Sequence, residues 1–226
     1  MNNNGIPEQY ARKLTKEEVN QLPLRRWKGP IHLVPGDIPG AEAAARLREE
    51  RILGFDTETR PAFRKGVSYR PSLVQLAGSG QVFLFQLARM DSLEPLAGLL
   101  GDGTILKVGV GLDHDVRQLQ EVFPFEPGGF LDLGVVAENA GMESRGLRSM
   151  AAALFGFRIS KRAQCSNWEE GDLQPYQVHY AATDAWVSRE IYLTMANLGI
   201  VDGSPGSATQ RRGRRVTLDG TAPPGP

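Results

Sequence analysis

Cysteine is nearly missing from this chain. Cys165 is the only one in 226 residues, which excludes an intramolecular disulfide and a Cys-rich zinc site and suits a reducing compartment. Long apolar runs are missing as well. No stretch approaches the roughly 18 residues of a membrane span, and the opening segment MNNNGIPEQYARKLTKEEV lacks the apolar stretch of a secretory signal. The chain therefore reads as cytoplasmic, with no membrane partner. Net charge is the third absence: Lys+Arg and Asp+Glu both number 26. Without a basic excess the chain is not built to hold long duplexes by charge, although a few local cations can still grip a strand end. What remains, 41% hydrophobic and 23% charged residues, is an ordinary globular composition, long enough for one core plus tails.

The ends differ from the middle. Residues 1–30 form a polar arm broken by Pro7, Pro23 and Pro30. Within it Thr15 and Glu18 fit a capping box, and Leu22, Leu24 and Trp27 are candidates to anchor it, either against the main body or as an oligomer contact. Residues 201–226 are rich in Gly, Pro, Ser and Thr and cannot bury enough apolar surface to offset their ordering entropy, so they read as a disordered tail. Its cluster Arg211, Arg212, Arg214 and Arg215 is either a phosphate contact or a solvated charge run.

Residues 31–200 read as α/β. Strands are expected at Ile31–Val34, Ile52–Thr57, Ser72–Ala77, Val82–Leu87, Ile105–Val110 and Phe130–Asp132. Helices are expected at Glu42–Glu50, Leu93–Leu100, Asp115–Val122, Leu133–Asn139, Leu147–Phe155 and Pro175–Asn197. The short loop with Gly78, Ser79 and Gly80 makes the third and fourth strands a hairpin. Hairpin strands followed by alternating strands and helices give a mixed sheet covered on both faces.

Three acidic elements stand out. In Gly54-Phe-Asp-Thr-Glu-Thr59 the alternation of side chains puts Asp56 and Glu58 on one side of a strand end, the usual place for a site in an open α/β sheet. Two carboxylates this close repel unless a proton or a cation intervenes, and hard oxygen ligands suit Mg²⁺ or Mn²⁺. In Lys107-Val-Gly-Val-Gly-Leu-Asp-His-Asp115 a strand runs into a helix with Asp113 and Asp115 at the junction, where one of the two fits an N-cap. A dinucleotide-binding loop fits less well there, because His114 stands where the third glycine belongs. In His179-Tyr-Ala-Ala-Thr-Asp184, Tyr180 and Asp184 lie four apart on a helix beside small residues.

Together the elements resemble the DEDD exonuclease superfamily, in the branch that includes RNase D and the exonuclease domain of the Werner helicase. FDTET resembles the first motif of that family, VGVGLDHD the second and YAATDAW the third; Ser166-Asn167-Trp168 resembles a stretch typical of the branch. The resemblance spans about residues 31–198 and implies an RNase H-like fold. It implies that Asp56, Glu58, Asp115 and Asp184 hold two divalent ions and that Tyr180 completes the catalytic set. The superfamily divides by whether a tyrosine four residues, or a histidine five residues, precedes the last aspartate, and this chain has both Tyr180 and His179. A four-residue helical step drifts about 40° and a five-residue step about 140°. An early helix start, with Pro175 in the first turn and Asp172 as cap, therefore favours Tyr180.

The activity implied is hydrolysis of phosphodiester bonds from the 3′ end of single-stranded DNA or RNA, releasing nucleoside 5′-monophosphates. Thr57, Lys161, Arg162 and Trp168 are candidate substrate contacts, as are Arg60, Arg64, Lys65 and Arg70. For the charged residues the alternative is solubilising charge, and for Trp168 a place in the core. Two other functions fit the same residues: a nucleic-acid-binding module without catalysis, and a phosphodiesterase acting on small nucleotides or oligoribonucleotides.

Overall fold

The computed structural model describes residues 6–64 and 66–201; Lys65 and the tail with its arginine cluster lie outside the described residues. One mixed sheet of six strands organises the molecule, in the order β1-β4-β3-β2-β5-β6. The strands are β1 (Ile31–Val34), β2 (Ile52–Thr59), β3 (Pro71–Ala77), β4 (Val82–Gln86), β5 (Leu106–Gly109) and β6 (Phe130–Asp132). β2, β3 and β4 form an antiparallel meander, while β1 joins β4 in parallel and β5 and β6 extend the β2 edge in parallel. The expected mixed sheet and its RNase H-like helical cover are both present.

Alternation along β2 separates packing from chemistry. Phe55 is fully buried on one face, in a cluster with Leu47, Leu96, Leu99 and Leu119. Those residues come from α3 (Gly40–Leu47), α4 (Glu94–Gly101) and α5 (Leu112–Gln120). Gly54, Asp56 and Glu58 take the opposite face, which α6 (Leu133–Asn139), α7 (Leu147–Phe155) and α8 (Pro175–Asn197) cover through two further apolar clusters.

The 23-residue α8 is buried from Tyr180 to Ala185 without a break. Ala181, Ala182 and Ala185 keep its near side slim. At Gly54 the approach becomes backbone-close: a Cβ there would run into the carbonyl oxygen of Ala185. Only a residue without a side chain allows α8 to sit this low on β2.

The polar arm is folded onto this body. Its helices are α1 (Glu8–Ala11) and α2 (Lys16–Gln21), the second closed by the Thr15–Glu18 capping box. Arg25 N–H donates to the Arg158 carbonyl at 2.9 Å, and Arg158 N–H donates to the Pro23 carbonyl at 3.0 Å. Of the expected anchors, Leu22 and Trp27 are half-buried, but the Leu24 side chain is 54% exposed because only its backbone bridges to Arg158. Ile6, 2% exposed in the α7–α8 cluster, anchors the arm instead.

Two helix starts differ from expectation. α5 begins at Leu112, capped by Gly111 at φ 78°, and Asp132 on β6 accepts from the Leu112 N–H at 2.9 Å. Neither Asp113 nor Asp115 is therefore the N-cap; both lie in the first turn. α8 is capped by Gln174 with Gln177 closing the box, while Asp172 is exposed near Arg89.

Gly54→Ala forces a methyl group against a backbone carbonyl. Overpacking of this kind costs about 1–3 kcal/mol. We expect its urea midpoint to fall accordingly, while Gly80→Ala, which has open space around it, stays within about 0.5 kcal/mol of the parent.

Candidate active site

The low seat of α8 decides what meets at the end of β2. Asp56, Glu58 and Asp184 each present a carboxylate oxygen, and these oxygens lie within 4.8 Å of one another. Among the described residues no other group of three metal-ligating side chains is this close. Glu58 and Asp184 are buried, and Asp56 faces a cavity of about 570 Å³ that Tyr180 and Asp184 also line.

Like charges this close out of water cannot all ionise without help. Desolvation, then the charges of Asp184 and Asp115, hold the Asp56 carboxyl well above the usual range. Desolvation followed by Asp56 pushes Glu58 up to about 10. Burial raises Asp184 to about 7 against the restraining charge of Arg148 and a hydrogen bond from Tyr180. Asp115 stands outside the tight triad but close enough to repel Asp56 and Glu58, and burial raises it to about 6. A divalent cation would supply the counter-charge that this set lacks, and the acidic oxygen donors suit one. One oxygen of Asp184, Oδ1, is buried with no hydrogen-bond partner among the described residues, as a ligand atom would be.

The remaining expected residues fall into two groups. Tyr180 shares the face of Asp184 because α8 already runs from Pro175. Its phenol lies well above the usual range, through burial first and Asp184 next. His179 lines a smaller cavity that Tyr180 and Asp184 also line, and one of its ring nitrogens is buried with no hydrogen-bond partner among the described residues. The Thr57 hydroxyl is hydrogen-bonded to Asp115. Lys161 lines the cavity beside Asp56, and the Arg162 guanidinium lies over the Tyr176 ring at 5.0 Å. Trp168 takes the core alternative: it is 2% exposed and packs on Tyr180 at 6.0 Å between centroids, offering no open face to a base. Arg60 is held by Glu169 at 2.9 Å, and Arg64 and Arg70 line separate hollows.

Two residues at the site carry no sequence signal of their own. Arg148 on α7 is half-buried, donates to the Ser160 carbonyl and sets its charge toward Tyr180 and Asp184. Gln75, directly opposite Asp56 in the β2–β3 ladder, is fully buried with neither amide atom partnered among the described residues.

Fold and site together define an RNase H-like domain with a buried acidic centre. The family model described as 3′–5′ exonuclease matches residues 38–199, and the chain belongs to that family. It is 35% identical over 147 residues to the exonuclease 3′–5′ domain-containing protein 2 of Drosophila melanogaster, covering 63% of this chain and 25% of that protein. To the bifunctional 3′–5′ exonuclease/ATP-dependent helicase WRN of Mus musculus it is 31% identical over 164 residues, covering 70% of this chain and 12% of that one. The chain thus spans a quarter or less of these relatives. The crystal structure of Escherichia coli RNase D shares the fold with a TM-score of 0.65 at 22% identity, over 77% of this chain and 45% of that one. The resemblance to the DEDD exonucleases is borne out. Among the described residues no helix is long and apolar enough to cross a membrane.

The raised carboxyls set a stability profile. Each binds a proton in the native state that the unfolded chain has already released above the ordinary carboxylate range. The contributions of Asp115 and Asp184 are therefore complete in acid and lost as pH rises through about 6 and about 7, while that of Glu58 persists toward about 10. In EDTA the melting temperature should fall between pH 5 and pH 8. A cation at a hundred times its Kd restores about 2.7 kcal/mol, roughly 5–10 °C for this size. A flat profile in EDTA, or no shift on adding Mg²⁺ at pH 8, contradicts the electrostatic picture.

Proposed function

We propose that this chain is a 3′–5′ exonuclease that hydrolyses phosphodiester bonds from the 3′ end of single-stranded DNA or RNA and releases nucleoside 5′-monophosphates. The observation that carries the reading is the triad of Asp56, Glu58 and Asp184 within 4.8 Å, on a domain of this family.

In this reading Asp56, Glu58, Asp115 and Asp184 hold two divalent ions, Mg²⁺ or Mn²⁺. Bound there, such ions supply Lewis-acid chemistry at the attacking water and at the leaving 3′ oxygen. The chain does the positioning. Asp184 is oriented by the Tyr180 hydroxyl, and Asp115 by Thr57. A phenol held above its ordinary pKa stays neutral and cannot take a proton at neutral pH. Tyr180 therefore orients the attacking water through its hydroxyl. Trp168 packs behind Tyr180 and fixes its ring. Lys161 and Arg162 contact phosphates upstream of the cut bond. The free, exposed thiol of Cys165 suits the reducing cytoplasm.

The test is incubation with Mg²⁺ or Mn²⁺ and end-labelled DNA, RNA and dinucleotides. Stepwise shortening from the 3′ end is expected. Asp184→Asn should abolish it, and Tyr180→Phe should slow it about 10²-fold by misplacing the water. His179→Ala should lose far less. Binding without shortening, or a dead His179→Ala beside a fully active Tyr180→Phe, overturns the assignment.

A further inference from the structure

The polar arm lies outside residues 38–199, the part that the family model matches, yet it reaches the acidic site from two sides. Two cavities open on Tyr180 and Asp184. The one of about 570 Å³ is lined on its cationic side by Lys13, Arg148 and Lys161. The other, of about 230 Å³, is lined by Arg25, Arg26 and Arg162. Half of these six cations belong to the arm.

Six arginines away from the two cavities are ion-paired. Arg12, Arg46, Arg60, Arg89, Arg145 and Arg189 each lie within ion-pair distance of a carboxylate, and none of them lines either cavity. No carboxylate among the described residues lies within that distance of the Lys13 ammonium or of the Arg25 and Arg26 guanidinium groups. The cations of the arm thus line the two cavities with no direct ion-pair partner among the described residues.

The arm is also fixed in place, which separates it from a loose solvated tail. Trp27 N–H donates to the Thr183 hydroxyl at 3.1 Å, one residue before Asp184, and the Trp27 ring packs on Trp186 at 5.8 Å. Lys13 N–H donates to the Glu143 carboxylate at 3.0 Å, and Glu143 N–H donates to the Ala11 carbonyl at 2.8 Å. Cations held by a preset backbone lose little freedom on meeting an anion.

We propose that the N-terminal arm is part of the substrate site, and that Lys13, Arg25 and Arg26 hold phosphates of the single strand whose 3′ end enters at Asp184. The proposal rests on the exonuclease reading for the identity of its ligand. It follows from charge complementarity and from continuity of both cavities with the acidic triad. The arm gives a chain of zero net charge a local cationic grip.

The experiment measures binding of a short fluorescent oligothymidylate to the full chain in EDTA, as a function of salt. For single strands the log–log slope carries about 0.7 per phosphate contact. The double variant Arg25→Gln/Arg26→Gln should lower the slope by about 1.4 and Lys13→Gln by about 0.7. With Mg²⁺, the KM of each variant for the same strand should rise several-fold. All three side chains are exposed, and an unchanged melting temperature confirms folding. Arg46→Gln, which removes a paired cation from α3, should leave the slope as it is. Unchanged slopes in the arm variants overturn the proposal, as does an equal drop in Arg46→Gln. Because this readout needs no cleavage, a parent chain that binds the strand but never shortens it sinks the exonuclease reading and leaves the arm to be decided by its slopes. A parent that does not bind the strand sinks both.

Discussion

The contact between Gly54 and the backbone of α8 governs this molecule. A helix resting on a sheet is normally held off by side chains on both surfaces. Here a glycine on β2 and a run of alanines on α8 remove that spacing, and the helix descends until Asp184 stands beside Asp56 and Glu58. Nothing in helix–sheet packing favours gathering three carboxylates. The apolar clusters along the rest of α8, from Ala181 to Met195, supply the attraction that offsets their repulsion. The long helix is thus both the main brace of this face and the element that delivers the last acid.

Much else follows from that crowding. Burial, and then the same carboxylates, hold the Tyr180 phenol neutral, which in the proposed mechanism makes it an orienting group and not a base. Arg148, half-buried beside them, partly restrains the rise of Asp184. Gln75 lies opposite Asp56 with an amide that has no partner among the described residues. Such local conflicts with stability cluster at functional sites, while the rest of the sequence agrees with its fold.

How much of this the sequence carried depends on the range of the interaction. β1, β6 and the last three helices could be read from periodicity and flanking residues, because local pattern alone delimits them. The start of α5 could not. Asp115 looks like the beginning of a helix only if the Asp132–Leu112 bond from a neighbouring strand is unseen, and Gly111 gives no hint of its left-handed turn until the chain is folded. Asp56, Glu58, Tyr180 and Asp184 were legible as spaced motifs, whereas their closeness is a tertiary fact that rests on Gly54. The places of Arg148 and Gln75 at the site, and the reach of the arm's cations to its cavities, were not legible. A lone arginine on an amphipathic helix, or a pair after a proline, has the same local signature whether it faces solvent or a site. Trp168 shows the reverse: an aromatic near a motif invites a stacking role, and only its burial against Tyr180 identifies a support.

One close backbone contact thus builds the proposed site for divalent cations. Calorimetric titration of Mn²⁺ into the metal-free chain tests it most directly. Saturable binding by the parent, lost in Asp184→Asn and weakened in Gly54→Ala at a temperature where both remain folded, is the result expected. Binding by the parent that Asp184→Asn leaves intact, or no binding at all, contradicts it.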